Sequence, residues 1–308
     1  MSTGADVRLG AGAEAAAIPD LAAGFRSKEA GRRLGYGTIA LTGGLLLLAL
    51  LWLIPLAWIV TTAIKPEPEI IRLPVHMIPE EVTLANFVAA LTTSRTANIA
   101  IAFANSTVVA IAETILTLAI DSMAAYALAR LSFRGRGVIF AVIVGSIMVP
   151  PQITLVPLYL LFQQVGWLSS YQALVLPGLS RAFGVFLLRQ FFLTIPVELE
   201  EAARLDGCGP LRVFWHVILP LSRAPLATLG IFTFMGSWNA FEGPLIFTDS
   251  LEMRTLPIGI TIFQGRYNIE YGPLMAAATL AALPVTIAFL IFQKYIIKGI
   301  SLTGLAGR

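Results

Sequence analysis

The sequence predicts an all-α integral membrane protein with six transmembrane helices. Three observations predict it. Of the 308 residues, 57% are hydrophobic and only 13% are charged, where soluble domains carry about 25% charge. Charge-free stretches recur at lengths that suit helices of about twenty residues crossing a bilayer. Lysine and arginine are shared unevenly between alternate connecting segments, the pattern that orients multi-pass proteins. The formal net charge of +3, with no basic tracts interleaved with aromatics, argues against a nucleic-acid partner. The single cysteine, Cys208, excludes an internal disulfide framework. His76 and His216 stand far apart with no partners at ligand spacing and read as surface residues rather than metal ligands.

Residues 1–35 are rich in alanine and glycine with scattered charges and are expected to form a tail without a core. No short apolar run with a small-residue cleavage pattern follows the first charges, so a secretory signal is not expected. Leu34 to Ile64 carries no charge and holds the first transmembrane helix, 36–64, with Pro55 as its expected kink. Residues 65–98 hold Pro66, Pro68, Pro74 and Pro79 and are expected to be an external loop with a short helix near 84–91.

A five-helix core is expected over 99–298. Its first span, about 99–128, contains Glu113 and Asp121, and Arg130, Arg134 and Arg136 follow at once. From Gly137 to Ser180 there is again no charge, a length that suits two spans, about 138–162, bent by Pro150-Pro151 and Pro157, and about 171–192, with the break between them at Gln163–Ser170. The fifth span is expected at about 224–247, the sixth at about 273–293, and a tail at 299–308. Prolines recur within these spans. They suit a bundle that rocks between two openings, and equally the ordinary tolerance of membrane helices for proline.

Between the fourth and fifth spans lies a polar island, Glu198 to Pro220, within a loop at 194–222. Pro196 suits the start of a helix, and Glu198, Glu200 and Glu201 suit its first turn, near the positive end of the helix dipole. Gly207 and Gly209 stop that helix, and Pro210 opens another. The expectation is two short helices lying on the membrane surface, joined at Asp206-Gly207. An ordinary amphipathic surface helix and a thin docking surface at Ala202-Ala203 both fit this pattern.

With six spans, fifteen of the 21 lysines and arginines fall on the side of the termini and the island, five fall opposite, and Arg181 lies within a span. Both termini and the island are therefore expected in the cytoplasm. The four lysines, Lys28, Lys65, Lys294 and Lys298, are followed by Glu, Pro, Tyr and Gly, so none belongs to a phosphate-binding Gly-Lys-Ser/Thr loop. No Ser/His/Asp arrangement or paired loop acids suggest an enzyme, and energy is expected from a partner.

Glu201-Ala202-Ala203, Asp206-Gly207 and Ile218-Leu219-Pro220 together resemble the EAA loop of ABC importer permeases. Cys208 departs from the family's more frequent alanine but is also small. Asn105-Ser106-Thr107, Ala124 to Arg130, Gly236-Ser237-Trp238-Asn239, Arg254-Thr255-Leu256-Pro257 and Phe292-Gln293-Lys294 resemble the carbohydrate-uptake branch, nearest the second permease of maltose-type systems. The resemblance covers roughly residues 70–308. It implies the type I ABC importer permease fold with cytoplasmic coupling helices, in a bacterial or archaeal cytoplasmic membrane. It implies a sister permease in a heterodimer, two ATPase subunits carrying the ATP and magnesium, and an external solute-binding protein that delivers a sugar. No cofactor is expected on this chain. The ATPase-coupling residues would be Glu201, Ala202, Ala203, Asp206, Gly207 and Pro220. The loop 248–270 would meet the binding protein, and 299–308 the ATPase.

Trp238, Asn239 and Phe241 are candidates for the solute path, because an aromatic face beside an amide suits a sugar ring and its hydroxyls. Trp238 is equally a candidate for packing. Glu242 could accept sugar hydroxyls. Glu113 and Asp121, being membrane acids, should face a bundle interior or a wet cavity. Pairing with Arg181 and solute contact are both open to them. The rival class is an ion-coupled secondary transporter with Glu113 and Asp121 as carriers.

Overall fold

The computed structural model describes residues 36–92, 98–265 and 269–305, with side chains described for 37–92, 98–265 and 269–293. The expected tail at 1–35, Arg95, Arg266 and the last residues 306–308 lie outside the described residues. Apart from one isolated bridge between Gln264 and Ile269, the regular structure of the described residues is helical.

The chain divides into two units at Pro55. The described part of the first is the opening of α1 (Tyr36–Ala63), with no acidic or basic residue in its end turns. Leu45, Leu46, Leu47, Leu48, Leu50, Leu51 and Trp52 are all exposed on it. A run of exposed apolar side chains of that size is stable only against lipid or protein.

The second unit is organised on α4 (Ile99–Arg130), whose 32 residues extend about 48 Å at 1.5 Å per residue. Asn98 starts it, its side chain accepting from the Ala100 and Ile101 amides at 2.9 and 3.2 Å. α4 packs most extensively on α8 (Ala182–Thr194) and α12 (Arg223–Trp238), and α12 packs in turn on α15 (Tyr271–Leu305). The contacts are thin: Ala102, Ala110, Ala125, Ala129, Ala276 and Ala277 are all buried, as membrane helices require where backbones approach closely.

The third and fourth expected spans are present as broken pairs. α5 (Arg136–Gly145) with its 3-10 turn (Ser146–Met148) meets α6 (Gln152–Gln164) at 101° across Pro150-Pro151. α7 (Tyr171–Val175) with its 3-10 turn (Leu176–Gly178) meets α8 at 45°. The third is thus bent at Pro150-Pro151. The fifth helix differs from its expected 224–247: α12 stops at Trp238, and α13 (Glu242–Phe247) follows after a break. Beyond it lie a 3-10 turn (Leu251–Met253) and α14 (Leu256–Thr261). α15 runs to Leu305, so the expected tail is helical over 299–305. The 65–98 segment holds α2 (Glu67–Ile70) as well as the expected α3 (Ala85–Thr92). Among the described residues, three helices are long and apolar enough to cross a membrane, and six spans result if each bent pair counts as one.

Candidate coupling surface and solute path

The polar island folds as two joined helical arms. α9 (Val197–Leu205) begins after Pro196 with Glu198 and Glu200 in its first turn. Its end is a Schellman cap. Gly207 sits at φ +82°, its amide donates to the Arg204 carbonyl at 3.0 Å, and the Cys208 amide donates to the Ala203 carbonyl at 3.0 Å. α10 (Pro210–Val213), a π turn (Phe214–Ile218) and α11 (Leu219–Leu221) then form one continuous arm. Pro220 has no N–H to offer the turn before it, and the wide turn lies just ahead of it. At Ser222 the arm bends by 81° into α12, and the buried Ser222 hydroxyl donates to the Ile218 carbonyl at 2.7 Å.

One face of α9 is anchored. Glu200, 2% exposed, forms a salt bridge with Arg130 at 2.7 Å, and Arg204 approaches its other oxygen at 3.8 Å. Arg130 also donates to the Phe192 carbonyl at 2.6 Å and to the Ile195 carbonyl. The last residue of α4 therefore ties together the end of α8 and the start of the island. Arg189 donates to the Leu128 carbonyl at 3.1 Å and lies 4.0 Å from the Phe140 ring centre. Tyr126 donates to the Pro210 carbonyl at 3.2 Å. Behind these groups Leu188, Phe192, Phe214 and Ile218 form a buried cluster with Ala125 and Leu128.

The other face is open. Glu201, Ala202, Asp206, Gly207 and Pro220 are exposed, and Leu205 is 90% exposed. The two alanines divide: Ala202 faces out, whereas Ala203 packs with Cys208 on the buried cluster. The anchor Arg130–Glu200 was missed in the sequence, where both read as end-of-helix charges. Their spacing to Phe192 and Ile195 appears only once the chain is folded.

At the opposite end of α4, the Asn105-Ser106 and Arg254–Pro257 segments come together. Asn105 donates to the Glu252 and Arg254 carbonyls at 2.7 and 3.0 Å and accepts from the Tyr171 hydroxyl at 2.8 Å. Ser106 accepts from the Leu256 amide at 2.7 Å. The 248–262 segment is thereby fastened to α4.

The candidate path residues separate. Trp238 is 2% exposed, its indole N–H donates to the Ala281 carbonyl at 3.0 Å, and its ring meets Phe103 and Phe234 at 5.4 and 5.8 Å. That is a packed, satisfied side chain. Asn239, Phe241 and Glu242 are exposed, and Glu242 accepts from Gln152 at 3.1 Å. Glu113 is paired with Arg181 at 2.7 Å. Asp121 is fully buried beneath α8, so close to Gly184 that a Cβ there would lie 2.0 Å from its carboxylate.

A helical membrane unit with broken spans, carrying a polar arm anchored on one face and bare on the other, is the architecture of a transport permease. Residues 121–302 match the family model described as the inner membrane component of binding-protein-dependent transport systems. The chain belongs to that family. It is 37% identical over 259 residues to the probable ABC transporter permease protein YurM of Bacillus subtilis (strain 168), covering 82% of this chain and 83% of that protein. It is 34% identical to the arabinooligosaccharides transport system permease protein AraQ of Halalkalibacterium halodurans, covering 87% and 96%. Its fold matches a chain in the crystal structure of a bacterial ABC transporter involved in the import of the acidic polysaccharide alginate, with TM-score 0.73, 21% identity and coverage of 86% and 98%. The ion-coupled alternative is not favoured by membership of a binding-protein-dependent family.

Proposed function

We propose that this chain is the permease subunit of an ATP-driven importer that takes up a carbohydrate handed over by an external solute-binding protein. The carbohydrate is supported by relatives whose names include arabinooligosaccharide transport. The observation that carries the coupling role is the divided α9 helix, locked to α4 through Arg130–Glu200 with Glu201, Ala202, Asp206 and Gly207 left bare. A separate ATPase seats on that bare face and moves α4, α8 and α12 through the anchored one. The chain pairs with a sister permease above two ATPase subunits. It lies in the cytoplasmic membrane with both termini and the island inside, as its lysine and arginine distribution supports. ATP and magnesium act on the partner, and this chain carries no nucleotide site. The segment 248–270 receives the binding protein. Asn239, Phe241 and Glu242 line the solute path, with Trp238 as the wall behind them.

The test uses Leu205, 90% exposed beside the turn, in place of the half-covered Cys208. Leu205→Cys in a Cys208→Ser background should crosslink to a cysteine in the ATPase groove. Glu201→Ala and Gly207→Val should leave ATP hydrolysis running while uptake falls. Uptake by the purified chain alone in vesicles, or wild-type transport by both variants, would refute the proposal.

A further inference from the structure

We propose that Arg181 is a water-facing hydrogen-bond donor of the solute path, meeting the hydroxyl groups of the solute halfway along the bundle. The inference deepens the carbohydrate-permease reading and rests on it for the solute's class.

Arg181 stands at the break between the two halves of the fourth span, directly before α8. The preceding Ser180 is at φ +57°, a left-handed conformation that non-glycine residues rarely hold. Its partner Glu113 is near the midpoint of α4, so the pair lies deep in the bundle. Glu113 is enclosed and Arg181 is not: their side chains are 4% and 44% exposed. An arginine at that depth cannot face hydrocarbon without a large cost. Its open side faces water or a polar partner.

Glycines make the space. A Cβ at Gly178 would lie 2.2 Å from a Glu113 carboxylate oxygen, and one at Gly236 would lie 2.9 Å from Arg181 Nη1. Neither position admits a side chain without displacing the pair. Gly236 is itself exposed on α12, and exposed Asn239 follows three residues later on the same face. Arg181 thus lies one helical turn from the residues already assigned to the path. Asn239 donates one of its two side-chain N–H groups to the Met235 carbonyl at 2.9 Å, and its side-chain oxygen is an acceptor. Beyond it stand the exposed ring of Phe241 and the Gln152–Glu242 pair. Donor and acceptor lie one helical turn apart, and the exposed ring follows two residues on.

The charge state selects among solutes. Glu113 engages Nη2, and a guanidinium has five N–H donors, so others are available. With its charge compensated by Glu113, Arg181 offers directional donors without acting as an anion trap. That combination suits the oxygens of neutral sugar hydroxyls better than an isolated carboxylate or phosphate.

The experiment uses the complete transporter in membranes, with Cys208→Ser removing the native thiol and Asn239→Cys supplying a reporter. Two water-soluble thiol reagents of opposite charge are the probes, one a sulfonate and one a quaternary ammonium. Asn239→Cys should react with both, and Arg181→Gln should lower the sulfonate-to-ammonium rate ratio about fivefold, as expected for a unit charge within one helical turn. If that variant fails to reach the membrane, Glu113→Gln replaces it and should raise the ratio, because Arg181, with its side chain 44% exposed, then keeps its charge without its partner. An unreactive Asn239→Cys, as when a sister-subunit acid covers Arg181, overturns the proposal, and so does an unchanged ratio. The reading requires neither uptake nor ATP hydrolysis. A changed ratio without the Leu205→Cys crosslink would sink only the coupling role, and the reverse pair of results would sink only the role of Arg181.

Discussion

Arg130 and Glu200 meet at 2.7 Å with side chains only 8% and 3% exposed, joining the last residue of the longest central helix to the first turn of the surface arm. A buried pair of this kind is weak evidence of net stabilisation, but removal of one partner strands the other charge. Glu200→Ala should cost about 3–5 kcal/mol, read as a lowered melting temperature of the detergent-purified complex. Arg204→Ala removes only a half-exposed neighbour at 3.8 Å and should cost no more than about 1 kcal/mol. Equal losses from both would show that the Arg130 contact is not the anchor.

Gly207 occupies a left-handed position, and a Cβ added there would meet nothing within 4 Å, so its requirement is conformational and not spatial. Gly207→Ala should cost about 1–2 kcal/mol, and Gly207→Asn distinctly less, because asparagine visits that region. Circular dichroism melts of the two variants give the comparison. An alanine as benign as asparagine would contradict it.

Gly184 is the opposite case. Its φ is ordinary, but a Cβ would meet the Asp121 carboxylate at 2.0 Å and Leu229 at 3.0 Å. Gly184→Ala should destabilise by about 1–3 kcal/mol through overpacking, while Gly137→Ala, with open space around it, should be neutral. Expression level and melting temperature measured side by side test this.

Trp238→Phe keeps the ring contacts with Phe103 and Phe234 but loses the N–H bond to Ala281. About 0.5–1.5 kcal/mol of stability should go with it. Uptake KM should stay close to wild type, because the wall keeps its shape. Asn239→Ala should instead raise KM with melting unchanged. A large KM shift for Trp238→Phe would move Trp238 from the wall into the path itself.

Asn105 makes three side-chain hydrogen bonds, to Glu252, Arg254 and Tyr171. Asn105→Ala should loosen the 248–262 segment, seen as faster amide hydrogen exchange there than in α8. Unchanged exchange at Arg254–Leu256 would argue against this fastening.

Long apolar runs made the helices at α1, α4 and α15 legible in the sequence, because a run with few charges in a bilayer has few alternatives. The bends were legible only in part. Pro150-Pro151 announced a break, but not that α5 and α6 would meet at 101°, since proline removes a bond without fixing the new direction. The end of α12 had only weak local signals, Asn239 itself and the Gly243-Pro244 pair beyond it. The turn at Gly207 was readable from local chemistry alone. Burial of Glu200 was not, because a glutamate in a first helical turn looks the same whether it meets water or Arg130. Ala202 and Ala203 likewise looked equivalent until the helix phase put them on different sides. The Arg181–Glu113 pair could be suspected, since membrane charges seek partners, but the glycines that accommodate it point to it only after folding.

Under the proposed coupling, the 81° turn at Ser222 would make the arm and α12 a crank rather than a piston. Force applied lengthwise to the arm is nearly at right angles to the α12 axis, so it swings the helix sideways instead of sliding it through the bilayer. Such a swing would leave each residue near its own depth in the lipid, and no apolar side chain would have to cross a headgroup region.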